Sequence, residues 1–168
     1  MKLSSAFKSA LPAAMVGALA LCLAPTSASA STSVPTTFSV TATVQATCLI
    51  SATTLAFGTY TGVVANNTST VTVTCTNTTP YTLGLDAGTS TGATVTTRKM
   101  TGPSSALLSY SLFSDGSRTV NWGNTTGSWV SGTGNGAGQG ITVYGQVGAG
   151  QYVTPGAYSD TITATVTY

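Results

Sequence analysis

Residues 36–48 read Thr36-Thr37-Phe38-Ser39-Val40-Thr41-Ala42-Thr43-Val44-Gln45-Ala46-Thr47-Cys48. Phe38, Val40, Ala42, Val44, Ala46 and Cys48 fall on one face; Thr37, Ser39, Thr41, Thr43, Gln45 and Thr47 fall on the other. A period of two sustained over this length predicts a strand with one buried face. Threonine and valine dominate it, and both are stiff at χ1 and favour extended backbone. A helix would scatter the same apolar residues around its circumference.

Working outward, the residues before this stretch form a separate object. Lys2 and Lys8 make a positive start, Leu11 to Leu23 is an apolar run interrupted by Pro12, and Ala28-Ser29-Ala30 is a small-residue cleavage pattern. This predicts a signal peptide over residues 1–30, cut between Ala30 and Ser31. The apolar run is shorter than the roughly 20 residues a membrane span needs, so no span is expected after processing. The alternating stretch then lies almost at a free N-terminus.

Removing residues 1–30 takes Lys2 and Lys8 with it. Arg98, Lys99 and Arg118 then face Asp86, Asp115 and Asp160, a net charge of zero. Nothing remains to hold a phosphate backbone, so nucleic acid is not an expected partner. Only 5% of the chain is charged and 42% is hydrophobic. That is far less charge than a typical domain carries, without the low hydrophobicity of a disordered one. The reading is all-β and extracellular.

Cys22 belongs to the predicted signal, which leaves Cys48 and Cys75. An even pair in an exported protein predicts a disulfide. A free thiol pair or metal ligands are the alternatives, but with no histidine and no further cysteine a zinc site lacks ligands. Val71, Val73 and Cys75 alternate with Thr70, Thr72, Thr74 and Thr76. Both cysteines therefore sit on apolar faces, as a bond between them requires.

The remaining chain repeats the pattern in shorter pieces. Leu55 to Tyr60 is a short apolar run, and Tyr81, Leu83 and Leu85 face one way before the Asp86-Ala87-Gly88 turn. Val95 to Met100 reads as a short edge strand, with Arg98 and Lys99 as the charges that discourage stray pairing. Leu107 to Phe113 and Thr119 to Trp122 flank Asp115-Gly116, a hairpin signal. Residues 123–140 are glycine-rich and read as a long loop with at most one short strand around Trp129 and Val130. Ile141 to Val147 is another strand. From Tyr158 to the end, Ile162, Ala164, Val166 and Tyr168 point one way and threonines the other, a C-terminal edge strand. Seven or eight short strands predict an immunoglobulin-like β-sandwich, with a jelly roll or small barrel as the alternative.

Catalytic, metal and cofactor chemistry find no support. Without histidine there is no Ser-His or Cys-His pair. Asp86, Asp115 and Asp160 stand by turns, far apart in sequence, and read as turn-capping residues rather than a carboxylate pair. Gly132 to Gly136 lacks the strand–loop–helix setting of a phosphate cradle. Trp122, Trp129 and the tyrosines offer sugar-stacking surfaces, but core packing is the simpler reading.

The ordered set of Cys48 with Leu55-Ala56-Phe57-Gly58-Thr59-Tyr60, Cys75 with Pro80-Tyr81-Thr82-Leu83-Gly84-Leu85-Asp86-Ala87-Gly88, Arg98-Lys99-Met100, Leu108 to Asp115, Asn121-Trp122-Gly123, Val143-Tyr144-Gly145 and Gly156-Ala157-Tyr158-Ser159-Asp160 resembles a known family. It is the spore coat protein U domain, shared with subunits of archaic chaperone–usher pili. The resemblance implies an incomplete immunoglobulin-like sandwich over residues 47–168, missing one edge strand. A periplasmic chaperone first supplies that strand; at an outer-membrane usher, the N-terminal extension of an identical or related subunit replaces it. Here that donor extension is expected over residues 31–46, presenting Phe38, Val40, Ala42 and Val44. The chain's last residue, Tyr168, falls within an alternating run, in keeping with an uncovered sheet edge. The implied role is a surface fimbrium serving adhesion and biofilm formation, with a single domain suiting a shaft or adaptor. A spore-coat or other protective surface protein, and a self-contained secreted carbohydrate-binding module, are the rival readings.

Overall fold

The computed structural model describes residues 29–168. The predicted signal peptide lies outside the described residues apart from its last two; Ala30 and Ser31, either side of the expected cut, are exposed. The chain falls into two units, one ending at Thr41 and one running from Ala42 to Tyr168. In the first, residues 29–41 are exposed and hold neither helix nor strand. The second begins in the same state and enters its first strand at Cys48.

The expected strand over residues 36–48 is therefore not formed as one. Alternation prepares a segment to be a strand, but a strand exists only when a neighbour takes its N–H and C=O groups. Phe38, Val40 and Val44 are 83–85% exposed.

The eight strands are β1 (Cys48–Ala52), β2 (Ala65–Cys75), β3 (Pro80–Leu85), β4 (Arg98–Thr101), β5 (Leu107–Phe113), β6 (Val130–Thr133), β7 (Gln139–Val147) and β8 (Ala164–Thr167). They form two antiparallel sheets, five-stranded in the order β1-β2-β7-β5-β4 and three-stranded in the order β6-β3-β8. This is an immunoglobulin-like β-sandwich. The core is supplied by alternate residues of both sheets. Val71, Val73 and Cys75 of β2, Leu83 and Leu85 of β3, Leu108 and Leu112 of β5, and Val143 and Val147 of β7 are all buried.

Two residues tie the layers together. Trp122 is fully buried and its Nε1 donates to the Leu83 carbonyl at 2.9 Å. Arg98 is also fully buried, which corrects the expectation that it decorates an edge. Strand β4 is at the sheet edge, but a period of two sends only one of Arg98 and Lys99 outward. Arg98 pairs with Tyr110 in register and points in. Its guanidinium donates to the carbonyls of Asp86, Val95, Leu85 and Trp122 at 2.7–3.0 Å. Burial pushes its pKa down from the usual range, against the opposing pull of Tyr110, Asp86 and Asp160.

The apolar run Leu55 to Tyr60 forms no strand; Leu55 and Phe57 pack inward over Gly145, where a Cβ would lie 2.8 Å from Leu55 and 2.9 Å from Phe57. Two further expectations change. Thr119 to Trp122 makes only an isolated bridge from Asn121 to Phe113. The C-terminal run forms strand only over Ala164–Thr167, so Ile162 and Tyr168 lie outside β8. Ala164 and Val166 are half-buried against the core, as is Ile162, while Tyr168 is exposed.

Candidate functional site

The sandwich is open along one side. β1 ends the larger sheet and β8 ends the smaller one, and each is paired on one edge only among the described residues. The two strands approach each other across the opening. Ile50 points toward the core from β1, opposite Val73, yet is 37% exposed. On β8, Ala164 and Val166 are covered on one flank only. An unpaired strand edge beside an uncovered apolar face is a template for another strand.

Next to these edges the gap widens into a cleft of about 1120 Å³. Its floor is the core itself, including Val71, Leu85, Leu112, Val143 and Val147. Its two walls are residues 52–62, which follow β1, and residues 151–162, which precede β8. Neither wall holds a strand beyond Ala52.

Hydrogen bonds and packing position the first wall. Thr53 is tied to β2 through its N–H to the Thr70 carbonyl at 2.9 Å. The Asn67 side-chain amide donates to the Ala56 carbonyl. Phe57 meets Tyr110 edge-on, with ring centroids 6.1 Å apart. Tyr60 Oη donates to the Gly148 carbonyl at 2.6 Å and accepts from the Gln151 N–H at 3.1 Å.

The second wall is clamped by two aspartates acting reciprocally. Asp86, at the end of β3, accepts from the Thr163 N–H at 2.9 Å. Asp160, on the wall, accepts from the Thr89 N–H at 2.9 Å and from Tyr110 Oη at 2.7 Å. Gly88 is required between them: it has φ +84°, and a Cβ there would collide with the Asp160 carboxylate. Burial, reinforced by the Asp160 carboxylate, pushes the Tyr110 hydroxyl well above its ordinary range. Ser159 then exchanges two backbone hydrogen bonds with Thr101 of β4, at 2.9 and 3.1 Å. Asp115 is elsewhere, capping its own turn by accepting from Val120 N–H at 2.7 Å. All three aspartates thus have structural partners.

Of the residues singled out in the sequence, Cys48 and Cys75 are joined in a disulfide that locks the first pair of β1 to the last of β2. With its ends 27 positions apart in sequence, it restricts the unfolded chain by about 3.5 kcal/mol on the chain-entropy estimate. Ala164 and Ile162 line the cleft. Phe38, Val40, Ala42 and Val44 are exposed and do not line it. The Asp86–Asp160 clamp and buried Arg98 were missed as a unit. Their only sequence signal was that Asp86-Ala87-Gly88, Arg98 and Ser159-Asp160 all fall in the family-like segments.

Among the described residues, no cluster of ligating side chains could hold a metal ion, and no helix is long and apolar enough to cross a membrane.

The site is thus an apolar cleft between two fastened walls, beside the free edges of β1 and β8. The chain belongs to the Spore Coat Protein U domain family, whose model matches residues 34–165. It is 39% identical over 128 residues to "Protein U" of Myxococcus xanthus, covering 68% of this chain and 72% of that one. Its fold is similar, at a TM-score of 0.57 and 23% identity, to a chain in the chaperone–tip adhesion subunit pre-assembly complex of archaic chaperone–usher Csu pili from Acinetobacter baumannii. That match covers 75% of this chain but only 41% of the other, so this chain spans about two fifths of that protein's length.

Proposed function

We propose that the protein is a structural subunit of a surface pilus, assembled by strand addition between copies. The observation that carries this reading is the open apolar cleft beside the free edges of β1 and β8. A chain that also carries an exposed, alternating, unpaired segment has both halves of a polymerising joint. In this reading residues 1–30 are removed between Ala30 and Ser31, and residues 31–46 form the donor extension of the domain at 47–168. The donor part runs from about Ser33 to Val44. Phe38, Val40, Ala42 and Val44 enter a neighbour's cleft, each large side chain contributing roughly 1.5–3 kcal/mol by burial. Ladder bonds to a free edge add about 1 kcal/mol each. A periplasmic chaperone covers the cleft before assembly, and an outer-membrane usher exchanges it for the next subunit. The fibre serves adhesion and biofilm formation at the cell surface.

The test is to titrate oxidised protein, residues 31–168, with a synthetic peptide spanning Ser31 to Ala46. The expected result is tight, slowly reversible binding and a large rise in melting temperature. A stable monomer that ignores the peptide would remove the reading and turn the search to a sugar ligand.

A second reading, a protective coat protein using the same sandwich, is favoured by the family's description. It requires no exchange of strands in fibres. Expression confined to sporulation, without neighbouring chaperone and usher genes, would favour it.

A further inference from the structure

The folded domain begins abruptly. Among the described residues, 29–46 are exposed and in no strand, and the first backbone contacts are the Thr76 N–H to the Thr47 carbonyl at 3.0 Å and the Thr47 N–H to Thr76 Oγ1 at 3.2 Å. The next residue, Cys48, is the first of β1 and is bonded to the last of β2. The crosslink thus sits at the point where the exposed segment joins the fold.

β1 is an edge strand, held from one side only. It pairs with β2 alone, over five residues, and its other edge is free. The wall after it is fastened through side chains and single backbone bonds. β2 is its opposite: it has a neighbour on both edges and is gripped by β7 over nine residue pairs, Ala65 to Val73. Cys75 is fully buried, its carbonyl accepts from the Gly136 N–H at 3.1 Å, and Gly134 lies close against it. Gly134 follows β6 of the other sheet directly.

A pull on residues before Cys48 reaches β1 at its outermost residue. Without a crosslink the β1–β2 hydrogen bonds would be loaded one after another from that end, the easiest way to strip a strand. With it, the pull bypasses β1 and arrives through covalent bonds at Cys75, buried at the end of β2. A bond at Ala52 and Val71, the other end of the same pair, would leave the outer four residues of β1 to peel.

We propose that the Cys48–Cys75 disulfide is the force-carrying junction of the subunit, transferring tension from the N-terminal segment onto β2 and so preventing β1 and the first cleft wall from peeling. This rests on the strand-addition reading, in which residues 33–44 are anchored in a neighbouring copy and any tension on the fibre enters here. The consequence for binding is direct. The wall that peels with β1 is one side of the cleft that holds the next copy, so losing it would release that copy and break the fibre.

The experiment is single-fibre pulling on three samples: oxidised fibres, the same fibres reduced after assembly, and fibres of a Cys48→Ala, Cys75→Ala variant. Reduction after assembly keeps the test open if the variant does not fold. Without the crosslink, an early low-force extension is expected as residues 48–64 strip away, about 6 nm per subunit at the reach of an extended chain, followed by rupture at lower force. Oxidised fibres should lack that step. A general loss of stability would lower the melting temperature without adding an early step of this length. If fibres without the crosslink extend and break as oxidised fibres do, the proposal is wrong while the strand-addition reading survives. If oxidised protein forms no fibres at all, both fall together.

Discussion

Two segments of this chain carry the same alternating pattern and meet different fates. Residues 36–47 place apolar side chains at every second position and end fully exposed, with no ladder. Residues 158–167 do likewise except at Asp160, and there Tyr158, Asp160, Ile162, Ala164 and Val166 are half-buried while the residues between them are exposed. The second segment has a neighbour: β3 pairs with β8, and the Thr163 carbonyl accepts from the Asp86 N–H at 3.1 Å. The first has none. A period of two states that a segment will bury one face if a partner arrives; it does not say which molecule brings the partner.

The sharpest way to break this comparison is to place a charge in each segment. Val166→Asp puts a carboxylate on the inward face of β8, and stability should fall by about 2 kcal/mol or more, read by denaturant unfolding. Val40→Asp should leave the unfolding midpoint unchanged, since the side chain is 83% exposed, and leave the disulfide formed. In the proposed function it should nonetheless stop assembly. Normal fibres from Val40→Asp would mean that residues 36–47 are not the donor. A large loss of stability from it would mean that the segment already has a partner in the single chain.

A smaller effect concerns what holds the second segment in place. Asp160→Ala removes the acceptor of the Thr89 N–H and of the Tyr110 hydroxyl at once. The buried Tyr110 hydroxyl would lose its partner, so a cost of about 1–3 kcal/mol is expected. The same change should drop the Tyr110 pKa toward its ordinary range, because part of its elevation comes from the Asp160 carboxylate. An absorbance titration of the tyrosines that does not change would separate the two residues and undo the clamp.

Much of this architecture was legible because it follows from local alternation. Val71, Val73 and Cys75 were assigned inward from the threonines between them, and they are the most buried run of β2. The Asp115-Gly116 turn followed from its residues. What was not legible depends on tertiary partners. Leu55 and Phe57 look like strand residues, but Gly145 leaves a hollow that draws both of them over it, and the segment stays irregular. Arg98 looked like an edge charge because its cage consists of four backbone carbonyls from three other parts of the chain, and carbonyls leave no mark in a sequence. The cleft was expected only through the family resemblance; no local pattern describes the absence of a strand.

The smallest predicted effect tests whether a turn far from the cleft behaves independently of it. Asp115 accepts from the N–H groups of Val120 and Thr119 and from the Thr119 hydroxyl. The Val120 bond, followed by those of Thr119, holds its carboxyl below the usual carboxylate range. A carboxyl whose pKa is depressed on folding binds more protons when unfolded. Its contribution is therefore fully present above the ordinary carboxylate pKa and is lost as the pH falls through the lower, folded value. Wild type and Asp115→Ala should differ modestly in melting temperature at neutral pH, and the gap should close below pH of about 4. Because the turn is exposed, the gap should be only slightly sensitive to salt, since it arises from hydrogen bonds rather than from a distant charge. A gap that stayed constant through the acid range would mean that the alanine acts through the turn's backbone, not through the ionised carboxylate. Peptide binding at the cleft should be the same in both proteins at neutral pH. If Asp115→Ala weakened it, the hairpin and the cleft walls would have to move together, and the open side could no longer be treated as a region apart from the core that supports it.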